Sequence, residues 1–206
     1  MLNKSVVDFL KETSSSSPTP GGGSIAALVA SLSVALSSMV VSLTLGKKNY
    51  ENVQNDMQRL QIILDEYQKK TQDFVRQDID AYNNVMAQYA LPKLTEEEKK
   101  YRSQKIQEAT IKAAYSPLKM AETVAELYEY IEEVMEKGNK NIYSDALISM
   151  ILCHSAIESS LCNVVVNKNA IKDEKVKADL ESKINELITF SSNKKNELMK
   201  KSHYFD

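Results

Sequence analysis

The chain has 206 residues, and its 26 Lys and Arg residues nearly balance its 28 Asp and Glu residues. This length suits one domain with a substantial buried core, which we expect to span residues 1–206. Nucleic-acid-binding proteins carry a basic face, so the balanced charge argues against such a partner. The two cysteines show no CxxC spacing, and the N-terminus is too charged for a signal peptide. We therefore expect a cytoplasmic protein without disulfides.

Apolar spacing predicts an all-α bundle of about six helices and no strands. Pro117 is expected to start or kink a helix, so the segments on its two sides count as one helix or two. The predicted helical segments are residues 3–12, 24–45, 50–90, 96–115, 117–137, 144–167 and 173–200.

The second of these segments raises the question of a membrane span. Residues 25–45 contain no charge and reach the length that a bilayer requires. Six of these residues are Ser or Thr and four are Ala. Small residues allow neighbouring helices to approach closely, so we expect a buried bundle or subunit-interface helix and no membrane partner. A membrane-anchored bundle is the alternative.

A glycine-rich loop, SPTPGGGSIAAL at residues 17–28, precedes this apolar helix. It fits the GxGxxA dinucleotide pattern only formally, because SSSSPTP cannot form the strand that this motif requires. A P-loop around Gly46 and Lys47 lacks its first glycine, since position 41 is Val. Two interpretations remain. Either Ser24 caps a flexible entry turn, or the glycines expose backbone N–H groups to an anion or a carbonyl oxygen of a ligand.

Asp78 interrupts the apolar stripe of the long third segment. That stripe alternates spacings of three and four and reads Val53, Met57, Leu60, Leu64, Tyr67, Thr71, Phe74, Asp78, Tyr82, Val85 and Tyr89. A carboxylate among aromatic side chains loses hydration unless it is paired, and it is placed as a general acid or base would be. A hydrogen-bonded structural aspartate, or an exposed one after a shift in register, is equally compatible with the pattern.

A third polar cluster lies on the segment 144–167, where Asp145, Ser149, Ala156, Ser160, Asn163 and Asn167 share a small, polar face. These side chains either line a pocket, or cap the helix and bond its neighbours. Lys93 is either a surface lysine or a cation at a pocket mouth. His154 and His203 show no ligand spacing with the cysteines, so we expect no metal site.

Six motifs, in order along the chain, resemble the cyclodeaminase/cyclohydrolase family of one-carbon folate enzymes. They are SPTPGGGSIAAL (17–28), LTLGKKNY (43–50), the segment from Asp78 to Lys93, SPLKMAETVAEL (116–127), GNKNIYSDAL (138–147) and CNVVVN (162–167). The resemblance implies an all-α homodimer whose site lies near the subunit interface.

The resemblance also implies a tetrahydrofolate derivative as substrate and no further cofactor. The reaction is either hydrolysis of 5,10-methenyltetrahydrofolate to 10-formyltetrahydrofolate, or closure of 5-formiminotetrahydrofolate with release of ammonia. The 206 residues contain no formiminotransferase-like segment, which favours the cyclohydrolase, although a transferase can be a separate polypeptide. A non-catalytic helical dimer that binds folate or a protein is the alternative.

By the same resemblance, Asp78 matches the family's catalytic aspartate. The implied substrate-binding residues are Gly21, Gly22, Gly23, Ser24, Tyr82, Lys93, Asn139, Ser144, Asp145 and Asn163. Family members often carry Phe where this chain has Tyr82, so a hydroxyl is expected near the predicted acid.

Overall fold

The computed structural model describes residues 2–202, and every regular element in that range is a helix. Two short 3₁₀ helices, Lys48–Val53 and Lys140–Ile142, join some of the seven α-helices. The α-helices are α1 (Val6–Thr13), α2 (Gly22–Ser42), α3 (Gln54–Tyr89), α4 (Glu96–Ala125), α5 (Leu127–Lys137), α6 (Tyr143–Asn169) and α7 (Glu174–Ser202). The all-α prediction is confirmed over these residues, whereas His203 lies outside them.

Helix α2 is the centre of the bundle, and α3 and α6 both run antiparallel to it. Gly22 lies beside Asn163 of α6, and the Leu43 carbonyl at the other end accepts a hydrogen bond from Asn139. Small residues make this close packing possible, since Ala26, Ala27 and Ala30 are completely buried. Halfway along, Ser33, Ser37 and Ser149 exchange hydrogen bonds of 2.7–3.2 Å, which satisfies their buried hydroxyls.

Pro117 lies inside α4 and does not divide it; the break comes later, between Ala125 and Leu127. Proline has no N–H, so the carbonyl four residues earlier, that of Ala113, loses its helical donor. Asn167 of α6 donates to that carbonyl at 3.2 Å, and Ser160 donates to the Pro117 carbonyl at 2.6 Å. Helix α6 therefore compensates the defect, which is why the helix continues through the proline.

The apolar stripe of α3 is buried over only part of its length. Its members from Met57 to Phe74 are buried, but Tyr82 and Tyr89 are 36% and 48% exposed. A stripe with this spacing is typical of a buried face, so its C-terminal end departs from that pattern in the single chain. Helix α2 begins opposite Asp78, so the last three turns of α3 extend beyond it.

Helix α7 is attached through a buried polar network. Tyr128 and His154 each contact the Ser191 hydroxyl, at 2.9 and 2.8 Å. His154 Nε2 lies 3.3 Å from a carboxylate oxygen of Glu158. Burial lowers the pKa of His154, while Glu158 opposes that shift and Lys195 adds to it.

Two segments of the described chain, Gly22–Ser42 and Lys140–Asn169, are long and apolar enough to cross a bilayer. About half of the apolar 18-residue window in each is buried inside the bundle, 56% and 50% respectively. Core helices of soluble proteins meet the same length and composition test.

Candidate functional site

The glycine loop meets Asp78 at the first turn of α2. Gly21, not Ser24, is the N-cap residue, so the interpretation of Ser24 as a cap is wrong. Ser24 lies inside the helix, is completely buried, and donates its hydroxyl to Asp78 Oδ2 at 2.7 Å. Asp78 is half-buried. The hydrogen bond joins residues 54 positions apart in sequence.

Gly23 provides the space that the Asp78 carboxylate occupies. A Cβ atom at Gly23 would lie 2.0 Å from Asp78 Oδ1 and 2.6 Å from its Cγ, so a side chain there would collide with the carboxylate. At Gly22 a Cβ would meet only the Asn163 amide, at 3.6 and 3.7 Å, which is ordinary contact. The two adjacent glycines therefore differ: Gly23 makes room for Asp78, and Gly22 brings the chain beside Asn163.

Asp78 opens onto a cavity of about 290 Å³ between α3, α4 and α6. Its lining residues are Asp78, Ala81, Tyr82, Val85, Ala113, Ser116, Pro117, Asn163, Val166 and Asn167. A second, much smaller cavity of about 10 Å³ shares Asp78, Ser116 and Pro117 with it and is also lined by Gly23, Phe74 and Met120. The volume is near the lower end of the range for small-molecule sites, and the site is open on one side.

The electrostatics of this cavity centre on one anion. Within residues 2–202, none of the residues that line it is Lys or Arg. The N–H groups of Gly22, Gly23 and Ser24 precede the first helical hydrogen bond, which Ile25 donates to Gly21. A helix N-terminus stabilises nearby negative charge. The arrangement therefore keeps a carboxylate at the cavity wall without a cationic partner, and it suits a cationic ligand.

Asn163 and Asn167 present amide groups on the α6 side of the cavity. The Asn163 amide nitrogen donates to the Ser159 carbonyl at 2.9 Å, and that of Asn167 donates to the Asn163 carbonyl at 3.0 Å. Asn167 uses both N–H groups of its amide, on the Ala113 and Asn163 carbonyls, whereas Asn163 keeps one N–H and its amide oxygen as groups that a ligand could use. The structure brings Gly21–Ser24, Asp78, Tyr82 and Asn163 together.

The other predicted residues lie elsewhere in the same chain. Asn139 accepts a hydrogen bond from the Asn141 N–H and donates to the Leu43 carbonyl, so it links α6 to the far end of α2. Ser144 and Asp145 lie in the first turn of α6, roughly 27 Å along the helix axis from Asn163. They do not cap α6, because its N-cap is Ile142. Within one chain the predicted residues therefore form two groups, one at each end of α2.

Lys93 is an exposed residue between α3 and α4. It follows the end of α3, and that end lies roughly 17 Å from Asp78 along the helix axis. It does not line the cavity around Asp78.

Sequence reasoning did not assign Ser116, Pro117 and Asn167 to the site, although all three line the cavity. The motif SPLKMAETVAEL contained the first two, but the proline was interpreted as the start or kink of a helix and not as a residue that lines a cavity. Asn167 was part of the predicted polar face of α6. In the described part of the chain, no three His, Cys, Asp or Glu residues are grouped so that they could hold a metal ion.

Comparison with known proteins tests the family resemblance that the six motifs indicated. The family model described as formiminotransferase-cyclodeaminase matches residues 5–186. A methenyltetrahydrofolate cyclohydrolase of Methylorubrum extorquens is 37% identical over 90% of this chain and 88% of its own length. A formimidoyltransferase-cyclodeaminase of Rattus norvegicus is 31% identical over 91% of this chain, but only 35% of its own length.

A solved structure supports the fold. Formiminotetrahydrofolate cyclodeaminase of Thermotoga maritima superposes with a TM-score of 0.84 at 29% identity, covering 97% of this chain and 96% of its own. The resemblance inferred from the six motifs is thereby confirmed. The chain belongs to the formiminotransferase-cyclodeaminase family.

Proposed function

We propose that this chain is a one-carbon folate enzyme acting at the carbon between N5 and N10 of tetrahydrofolate. The leading reaction is hydrolysis of 5,10-methenyltetrahydrofolate to 10-formyltetrahydrofolate. Closure of 5-formiminotetrahydrofolate with ammonia release is the second. The observation that carries the proposal is the Asp78 carboxylate, held at the N-terminus of α2 on the wall of a cavity without a lining cation.

The chemistry of the substrate fits this wall. The methenyl bridge is an amidinium cation, which a single carboxylate attracts. As water oxygen bonds to the bridge carbon, Asp78 accepts one water proton and a neutral tetrahedral carbon forms. Asp78 then returns that proton to N5 as the carbon–N5 bond breaks, and the remaining hydroxyl proton leaves to solvent as the formyl group forms. In the cyclisation the same carboxyl would protonate the departing ammonia.

Sequence identity favours the cyclohydrolase. The methenyltetrahydrofolate cyclohydrolase is 37% identical to this chain, whereas the formimidoyltransferase-cyclodeaminase is 31% identical. The structural neighbour is a cyclodeaminase at lower identity, 29%. Both reactions pass through a tetrahedral carbon between two nitrogens, so the same residues would serve either.

The groups around Asp78 suggest how the substrate is held. Tyr82 lies one helical turn after Asp78 and lines the cavity with 36% of its surface exposed, so its ring could stack on a pterin. Gly22 and Asn163 would border the reacting end. Lys93 would meet the glutamate carboxylates, since only the end of the substrate distant from N5 and N10 could extend that far.

An exposed apolar face supports a homodimer. On α2 and at its C-cap, Leu32, Met39 and Leu43 are 49%, 38% and 43% exposed, and on α6 Ile148 and Val166 are 44% and 69% exposed. Helix α2 carries no charged residue. Exposed apolar side chains on two adjacent helices are typical of a protein interface, and a C2 dimer would pair this surface with itself.

The two separated groups of predicted site residues indicate how such a dimer would be arranged. If the twofold axis is perpendicular to α2, the partner's α2 runs antiparallel. Its far end then lies beside the glycine end of the first chain. Each site would combine Asp78 and Asn163 of one chain with Asn139, Ser144 and Asp145 of the other. A twofold axis parallel to α2 would leave the two groups roughly 27 Å apart.

The enzymatic proposal is tested with both folates. Purified protein is mixed with 5,10-methenyltetrahydrofolate, whose near-ultraviolet absorbance disappears on hydrolysis, and separately with 5-formiminotetrahydrofolate under an ammonia assay. We expect acceleration over buffer in the first assay. Absence of turnover in both would reject the proposal and leave the non-catalytic folate-binding or protein-binding dimer.

The composite dimer is tested by complementation. Asp78→Asn and Asp145→Asn proteins are assayed alone, then unfolded together, refolded and assayed again. If each site joins the two chains, a heterodimer contains one site with both wild-type residues, so activity returns to roughly a quarter of wild type in a random mixture. Failure to regain activity from two impaired parents would show that both residues act within one chain.

We further propose that the protein acts in the cytoplasm on a small-molecule substrate, without a nucleic-acid or membrane partner and without a resident metal. The near-balanced charge and the burial of about half of each apolar helix support this.

A further inference from the structure

Ser24 has a position that substrate binding does not explain. Its side chain is completely buried, so it has no surface to offer a ligand. Its hydroxyl donates to Asp78 Oδ2 at 2.7 Å. Among residues 2–202 this is the side-chain hydrogen bond that the structure gives to the Asp78 carboxylate. Ser24 thus acts on Asp78, which in turn faces the cavity.

The neighbouring Gly23 leaves room for the second oxygen of Asp78. Oδ1 lies only 2.0 Å from the position that a Cβ atom of Gly23 would occupy. The carboxylate is therefore seated between a hydroxyl and a bare Cα, and rotation about its last torsion would break the Ser24 hydrogen bond. That torsion is broad and soft in aspartate, so it needs such a constraint to present one oxygen in a constant direction.

The negative charge of Asp78 also depends on Ser24 for its stabilisation. Asp78 forms no ion pair in the described chain, and no cation lines its cavity. A half-buried anion of this kind is stabilised by hydrogen bonds and by a helix N-terminus. The first turn of α2 supplies both, through its Ser24 hydroxyl and its leading N–H groups.

We propose that Ser24 is a positioning residue for the folate reaction, whose hydroxyl holds the Asp78 carboxylate in one orientation toward the reacting carbon. The inference rests on the proposed function and replaces the assignment of Ser24 as a substrate ligand. Ser24 keeps its own proton throughout; the transferred proton moves between water, Asp78 and N5.

The test compares Ser24→Ala with Ser31→Ala. Ser31 is a matched control, since it is also a buried serine of α2 and its hydroxyl bonds only the Ala27 carbonyl of its own helix, at 3.0 Å. We expect Ser24→Ala to lower kcat about 10-fold with KM within about twofold, because a charge-assisted hydrogen bond acting on the reacting group is lost. Ser31→Ala should keep kcat within about twofold. Ser24→Cys, which retains a weak donor, should fall between wild type and Ser24→Ala.

A double mutant separates positioning from a structural role. In an Asp78→Asn background, Ser24→Ala should have no further effect on residual turnover, because the carboxylate that Ser24 positions no longer takes part in the reaction. A full 10-fold loss in that background, or wild-type kcat for Ser24→Ala alone, would overturn the proposal. Wild-type turnover in Asp78→Asn would instead reject the catalytic assignment of Asp78, which belongs to the proposed function.

Discussion

The two ends of α2 carry similar sets of polar residues, yet they use them differently. At the glycine end, Asp78 and Asn163 face a cavity, and buried Ser24 holds the Asp78 carboxylate. At the far end, the Asn139 side chain accepts a hydrogen bond from the Asn141 N–H and donates one to the Leu43 carbonyl. Its backbone N–H donates to the Thr44 hydroxyl. Motif membership alone therefore does not separate a residue that faces a cavity from one whose side chain connects two helices, whereas the hydrogen-bond partners of each residue do.

Replacing Asp78 should give the largest effect on this comparison. Asp78→Asn removes the proton acceptor but keeps the shape, so we expect turnover to fall about 100-fold or more with little change in KM. Steady-state kinetics on methenyltetrahydrofolate measure this. Asp80→Asn is the control, since Asp80 is an exposed carboxylate two residues away and should keep wild-type turnover.

The next effect should come from the two glycines. Gly23→Ala would push the Asp78 carboxylate out of its seat, so we expect a 10- to 100-fold loss of turnover, about what a misplacement of roughly 1 Å produces. Gly22→Ala makes only ordinary contacts with Asn163 and should stay within about threefold of wild type. If both variants lost the same turnover, the glycines would be required for the conformation of the loop rather than for the space that the Asp78 carboxylate occupies.

At the far end, the expected effect is on stability. Asn139→Ala removes the side chain that caps the short Lys140–Ile142 helix and holds Leu43, so the free energy of unfolding should fall by about 1 kcal/mol. Urea unfolding measures it. Asn141→Ala, at a neighbouring exposed position, should change it by less than about 0.5 kcal/mol. A comparable loss in both would contradict the connecting role.

The smallest effect should lie away from both ends, at His154. Burial lowers its pKa below 6.5, so the unfolded chain binds a proton more readily than the folded one. The stability from neutral His154 is complete above about pH 6.5 and is lost as the pH falls toward the folded-state pKa. Thermal unfolding at pH 7.5 and pH 5.5, compared with His154→Gln, should show a shallower decline in the variant. The same decline in both would assign the pH dependence to other groups.

Much of the fold could be predicted because helical spacing is local. The alternation of three and four on α3 and the small residues of α2 indicated which faces are buried. The exposed turn around Tyr82 was not predictable, because it depends on where α2 starts relative to α3. Likewise, a proline in the sequence signals a missing N–H, but only the packed structure shows that Asn167 supplies a substitute.

Part of the site was also within reach of sequence reasoning. A charged residue on an apolar stripe singled out Asp78, and three glycines singled out the loop. The contact between Ser24 and Asp78 was not predictable, because it spans 54 residues and depends on two helices docking at one register. The separation of Asn139 from the glycine end was missed for the same reason.

Pro117 has a consequence for how the cavity wall tolerates change. Its carbonyl and that of Ala113 both accept hydrogen bonds from side chains of α6. This side of the cavity therefore belongs to α4 but is stabilised by α6. Restoring an N–H at position 117 would make the Asn167 donor redundant, and losing Asn167 while keeping the proline would strand a carbonyl. The two substitutions should therefore be epistatic: a change that is harmful at one position becomes tolerable once the other has changed.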